Sequence, residues 1–92
     1  MTKADIVTEI AKTTGIEKTE VLAVVEAFME SVKKSLTNGQ QVYLRGFGSF
    51  IIKHRAEKTA RNIKKQTTLT IPAHNIPAFK PSKAFVGKVK GN

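Results

Sequence analysis

Residues 54–74, HRAEKTARNIKKQTTLTIPAH, set the strongest limit on how this chain can fold. The stretch is basic, poor in large apolar groups and has no hydrophobic face of its own. It interrupts a 92-residue chain that elsewhere reads as a compact core. A domain of this size buries only about 60% of the surface its unfolded chain exposes. Withdrawing about twenty residues from packing leaves less still, so the remainder needs a partner subunit. The withdrawn segment needs a partner of another kind. It reads as an extended two-stranded arm that grips a nucleic-acid duplex, with Asn62, Ile63 and Lys64 near its tip.

The distribution of charge says what that partner is. The formal net charge is +9. Residues 1–40 carry five lysines against six acids, whereas residues 41–92 carry eleven cations against Glu57 alone. One half is near neutral and assembles; the other meets a polyanion. There is no cysteine, which excludes a disulfide framework and a thiolate metal site and fits a reducing compartment. No apolar run reaches the roughly 18 residues a membrane span needs. The opening MTKADIVTEI carries acids and lacks the apolar region of a secretory signal. The expected location is the cytoplasm.

Hydrophobic periodicity places the elements. Thr2 is a good N-cap with Asp5 three residues on, close to a capping box. Ile6, Val7, Ile10 and Ala11 repeat at helical spacing, and Gly15 before Ile16 is the natural stop. A first helix is therefore predicted from about residue 3 to 13. A second starts near Lys18 and ends before Asn38-Gly39. Its stripe is Val21, Val25, Phe28, Val32 and Leu36, widened by Leu22 and Met29. That face is wide for one short helix to cover, so an antiparallel pair with surplus apolar surface points to a dimer.

From Gln41 the period changes to two. Val42 and Leu44 point one way, Tyr43 and Arg45 the other. Gly46-Phe47-Gly48 breaks the run at a hairpin turn with a buried phenylalanine, the glycines supplying backbone freedom. Ser49 to Lys53 resumes it with Phe50 and Ile52 on one face. Residues 53–62 continue outward as one leg of the arm and 67–76 return. Pro72 and Pro77 cannot donate ladder hydrogen bonds and belong at an edge or a bulge. Ile76 and Phe79 return the chain to the core. Ser82 caps a short final helix whose face holds Phe85 and Val89, and which Gly87 weakens.

Catalysis has little to stand on. Glu57 is the only carboxylate in the basic half. His54 and His74, facing each other across the arm, lack the third ligand or orienting acid that a zinc or hydrolytic site needs. No enzyme activity, metal or cofactor is expected. Charge runs are often only solvated surface. Here the cations come almost without acids, on alternating strands, in a segment held at both ends. The six cations Lys53, Arg55, Lys58, Arg61, Lys64 and Lys65 would displace many condensed counterions from a duplex. Arg55 and Arg61 also suit a narrow minor groove. Helix starts beside Lys3 and at Ser82-Lys83 offer N–H groups to phosphates, as does the turn at Gly46 and Gly48.

The string Gly46-Phe47-Gly48-Ser49-Phe50, then His54-Arg55-Ala56-Glu57, Arg61-Asn62, Asn75-Ile76-Pro77-Ala78-Phe79 and Lys83-Ala84 resembles the HU and integration host factor family of bacterial DNA-bending proteins, closest to HU. The match runs nearly the whole chain. The resemblance implies an α+β fold: an intertwined dimer with a helical body, an antiparallel β-saddle and protruding β-ribbon arms. It implies one domain over residues 1–92, with a dimerising body at 1–40, a sheet at 41–80 carrying an arm at about 53–75, and a C-terminal helix at 82–90. Family members wrap the minor groove with their arms and insert an apolar wedge at each tip. Carried over, the resemblance adds Arg45, Lys80 and Asn62 to the DNA contacts and makes Ile63 the wedge, where the family usually has proline. The dimer core then includes Phe28, Val32, Leu44, Phe47, Phe50 and Phe79. Phe79-Lys80-Pro81-Ser82-Lys83 is more like the host-factor branch.

The expected function is architectural: largely sequence-independent binding, bending and compaction of double-stranded DNA in the nucleoid, with bent, nicked or junction DNA preferred because it costs less to deform. The dimer is a homodimer, or a heterodimer with a paralogue. A site-specific bender of the host-factor type is the alternative. RNA is a secondary partner, since residues 53–78 contain no aromatic on which a base could stack. A membrane-surface role would need a basic amphipathic helix, and both long helices are near neutral.

Overall fold

The computed structural model describes the backbone of residues 1–62 and 67–91, and the side chains of these except 60–62 and 67–69. The chain divides into two compact units, Met1–Ser35 and Leu36–Asn92.

The first unit is helical. Helix α1 spans Lys3–Thr14. Thr2 Oγ1 accepts from the Asp5 backbone N–H at 3.3 Å, and Asp5 Oδ2 accepts from the Thr2 N–H at 2.9 Å. This reciprocal box satisfies two N–H groups that helix geometry leaves without partners. The same bonds hold the Asp5 carboxyl below the usual carboxylate range, the backbone bond contributing most and the Thr2 hydroxyl next. Gly15 closes the helix at φ 76°, its N–H bonded to the Ala11 carbonyl at 2.9 Å. Helix α2 spans Lys18–Thr37. An ion pair from Lys3 to Glu26 shows that the chain doubles back, the start of α1 lying beside the middle of α2. Val7 and Val21 are the two buried apolar side chains among the described residues, at 6% and 4% exposure. Leu22, Val24 and Phe28 are left exposed on α2.

The second unit contains the sheet. Strand β1 is Val42–Leu44 and β2 is Gly48–Arg55. They flank a turn closed by the Phe47 N–H on the Leu44 carbonyl at 3.0 Å. Gly46 sits at the third turn position with φ 84°, where a side chain is strained. Strand β5, His74–Pro81, lies on the other side of β2, giving the antiparallel order β1-β2-β5. Beyond it, β3 (Lys58–Asn62) and β4 (Thr67–Ile71) form a separate two-stranded ladder. Helix α3, Lys83–Val89, follows the Ser82 cap.

Three expectations are corrected here. Each leg of the arm is predicted as one continuous strand; instead the ladder stops after Arg55↔His74 and resumes at Lys58↔Ile71. The break skips two residues on each side, so the register is unchanged and there is no bulge. The reason is the phase of proline. The Ile52 N–H bonds the Gln41 side-chain carbonyl at 3.2 Å and so points toward β1. Ile52↔Pro77 is thus a pair without ladder hydrogen bonds on the β5 side, and Pro77 turns its missing N–H to the open edge. Pro81 shares that phase. Pro72, an odd number of residues from Pro77, falls in the opposite phase: its missing donor would have faced the partner strand, and there the ladder breaks. Second, Phe47 is not buried within the chain but 45% exposed. Its position in the turn leaves the ring partly uncovered, although it stacks on Phe85 and meets Phe79 at a tilt, with centroids at 5.4 and 5.0 Å. Third, Gly48 does not supply conformational freedom; it is buried. A Cβ there would stand 2.6 Å from the Lys80 carbonyl oxygen and 2.7 Å from the Phe79 ring. Glycine is required by the close approach of two strands.

Candidate nucleic-acid interface

The register sorts the sheet into two faces, because side chains directly opposite one another on paired strands project the same way. One face carries the rows Val42, Phe50, Phe79; Leu44, Gly48, Pro81; Ile52, Pro77; and His54, Asn75. Phe50 and Phe79 meet at a tilt with centroids 5.1 Å apart, and Phe79 meets Phe85 of α3 at 6.2 Å. This is the apolar face. The other carries Tyr43, Ser49, Lys80; Ile51, Ala78; Lys53, Ile76; and Arg55, His74. It is cationic, and no acidic side chain stands in these rows.

An open cleft of about 620 Å³ lies on the cationic face, lined among others by Arg45, Gly46, Gly48, Lys80, Ser82 and Lys83. All six are among the residues expected to contact DNA, although 32 or more positions of sequence separate the turn from the second group. Ser82 holds the cleft together. Its Oγ donates to the Gly46 carbonyl at 3.0 Å and accepts the Phe85 N–H at 3.2 Å, while its own N–H bonds the Phe47 carbonyl at 2.9 Å. The glycine turn is thereby pinned to the start of α3. The single hydroxyl proton of Ser82 is committed to this bond, so the side chain positions its neighbours rather than offering a donor to a phosphate.

Lys53 and Arg55 extend the cationic row outward along β2, both exposed. Lys58 opens β3 beyond the gap, and Arg61 and Asn62 close it. The side chains of Arg61 and Asn62, and all of Ile63, Lys64 and Lys65, lie outside the described residues, so the wedge assigned to Ile63 has no structural account. Lys3 is in the first unit, engaged by Glu26. Both side chains are about half exposed, so the pair is weak and salt-screened.

The two histidines do not face each other. The strands are offset by one residue from that arrangement, giving His54↔Asn75 and Arg55↔His74. The rings are therefore on opposite faces. His54 Nδ1 lies 3.0 Å from Asn75 Oδ1 on the apolar side. His74 Nδ1 lies 2.9 Å from the Pro72 carbonyl oxygen, on the cationic side. His74 is the residue of the cationic face that sequence reasoning did not place there. Counting the register outward from Phe50↔Phe79 would have found it. Among the described residues no cluster of three or more His, Cys, Asp or Glu side chains could hold a metal ion. No described helix is long and apolar enough to cross a membrane.

Comparison with known proteins follows the same lines. The family model described as "Bacterial DNA-binding protein" matches residues 1–90. The DNA-binding protein HU of Thermus thermophilus is 42% identical over 90 residues, covering 98% of this chain and 93% of that one. HU of Geobacillus stearothermophilus is 37% identical over 98% of this chain and all of its own. Among solved structures, Anabaena HU, crystallised with DNA, superposes with a TM-score of 0.93 at 34% identity over the full length of both chains. Strand order, cationic cleft and these matches agree: the chain belongs to the bacterial DNA-binding protein family, in its HU group.

Proposed function

We propose that this protein binds double-stranded DNA as an architectural, non-enzymatic component of the nucleoid, bending and compacting the duplex with little dependence on its sequence. The observation that carries the reading is the single cationic face of the sheet, from Arg45, Lys80 and Lys83 around the cleft to Lys53 and Arg55 at the arm base. A row of cations on a rigid sheet matches the regular charge of a duplex backbone, and its affinity comes from released counterions. Phosphate contacts of this kind position a protein without reading bases. The relatives named for DNA binding and the Anabaena complex support the same partner.

The whole chain acts as one domain of a homodimer. The support is the apolar surface each unit leaves uncovered, Phe28 in one and Phe47 and Phe79 in the other, which a small domain cannot leave in water without cost. Val32, Leu44 and Phe50 complete that proposed core. Arg61, Asn62, Lys64 and Lys65 then follow the minor groove, and Ile63 is the wedge, on the strength of the family resemblance. The host-factor alternative is not favoured, since the relatives matched here bear the HU name.

The test is a gel-shift series with linear, nicked and four-way DNA at two salt concentrations. Nicked and four-way forms should bind more tightly than linear DNA of equal length. Affinity should fall steeply with salt, by about three decades or more between 50 and 200 mM if each dimer neutralises six to ten phosphates. A flat salt response would overturn the electrostatic reading.

A further inference from the structure

We propose that His74 is a further DNA-contacting residue, and that it takes up a proton to make the contact. The inference rests on reading the cationic face as the duplex-binding one. Register places His74 directly opposite Arg55, in the row next to Lys53 and Ile76. The side chain is exposed. Its ring is not free to choose a tautomer. A carbonyl oxygen only accepts, so the 2.9 Å contact with Pro72 requires the proton on Nδ1. That carbonyl is available because Pro72 breaks the ladder at this point. The neutral ring therefore presents a bare Nε2 lone pair, which repels a phosphate oxygen. Adding a proton from solvent turns Nε2 into a charged donor while the Pro72 bond is kept, and imidazole makes this change within the physiological pH range.

The surroundings favour an anion in the third position. Arg55 faces His74 from β2, with Lys53 one row inward on the same face. Lys58 begins the ladder on the far side of the gap. On its own strand the next charged side chain of this face is Lys80. The nearby carboxylate is Glu57, in the gap two residues beyond Arg55, and none of the ion pairs among the described residues involves it. His54 stands on the apolar face, where it bonds Asn75. A phosphate brought against Arg55 and His74 together would be held by two cations, one of them created by binding.

Fluorescence anisotropy on a short duplex, at constant ionic strength from about pH 8 to about pH 6, tests this. By linkage, each proton taken up changes affinity by up to about tenfold per pH unit. The wild type should bind about tenfold more tightly at the acid end. Its salt slope should steepen by about one per histidine engaged. His54→Gln should keep both effects. His74→Gln should lose both, and His74→Lys should bind tightly with no pH dependence. A wild-type pH response in His74→Gln, or a flat response in the wild type, would overturn the role of His74 while leaving duplex binding intact. Failure of every variant to bind DNA at any pH would overturn the duplex-binding reading and this inference with it.

Discussion

Two glycines two residues apart are required for different reasons, and substitution separates them. Gly46 has φ 84° and open space around its α-carbon. Gly46→Ala should cost about 1–2 kcal/mol, the penalty of left-handed backbone, and Gly46→Asn less, since asparagine tolerates that region. Gly48 has ordinary backbone angles, but its missing side chain is replaced by the Lys80 carbonyl and the Phe79 ring. Gly48→Ala should cost about 1–3 kcal/mol or more as an overpacked site, and Gly48→Asn more again. Urea unfolding of the four variants checks the reversal. Asp5 gives a pH prediction. Its carboxyl is held below the usual range by the Thr2 bonds. A lowered folded-state pKa means stability that is complete above the unfolded-state value and lost as pH falls through the folded one. The advantage of wild type over Asp5→Ala should thus be constant at neutral pH and shrink only under acid conditions, read as the difference in unfolding midpoint. At the arm tip, Ile63→Ala should reduce DNA bending, measured by fluorescence transfer between duplex ends, more than it reduces affinity. An equal bend would remove the wedge role.

At the scale of the element, the arm is two ladders in one register, joined across Ala56-Glu57 and Pro72-Ala73. The joint is a consequence of proline phase, and that makes it removable. Pro72→Ala restores a donor that faces the opposite strand, so the backbone amide of Glu57, which stands across from it, should exchange more slowly with deuterium, while that of Ala56, in the phase of Ile52, should not. Pro77→Ala restores a donor to the open edge, and the amides of Ile51 to Lys53 should be unchanged. Slowing in both variants, or in neither, would refute the phase argument. The caps of α1 and α3 were legible without the structure because they are local: Thr2 with Asp5 and Ser82 with Phe85 each involve residues three apart. The joint was not, because residue spacing reveals a proline but not the side of the strand its nitrogen faces.

The molecule as a whole has too little interior for its length. Val7 and Val21 are the buried apolar side chains among the described residues, while Phe28, Phe47 and Phe79 remain substantially exposed. Sedimentation at micromolar concentration should give a dimer. Phe47→Ala should weaken that dimer more than Tyr43→Ala, because Phe47 belongs to the aromatic cluster with Phe79 and Phe85, whereas Tyr43 is on the cationic face. A stable folded monomer would refute the argument from exposed surface.

The chain alone determined what depends on near neighbours and on composition. Helix ends follow from capping residues and glycine, strand runs from alternation, and the polyanionic partner from the crowding of cations into residues 41–92. The tertiary structure decided what depends on which residues stand across from one another. Register set the cationic face, drew residues distant in sequence together around one cleft at Arg45, Lys80 and Lys83, parted His54 from His74, and made Gly48 a matter of space rather than flexibility. The physical reason is the two-residue period of a strand: an offset of one position exchanges the faces, and only the paired strand fixes that offset.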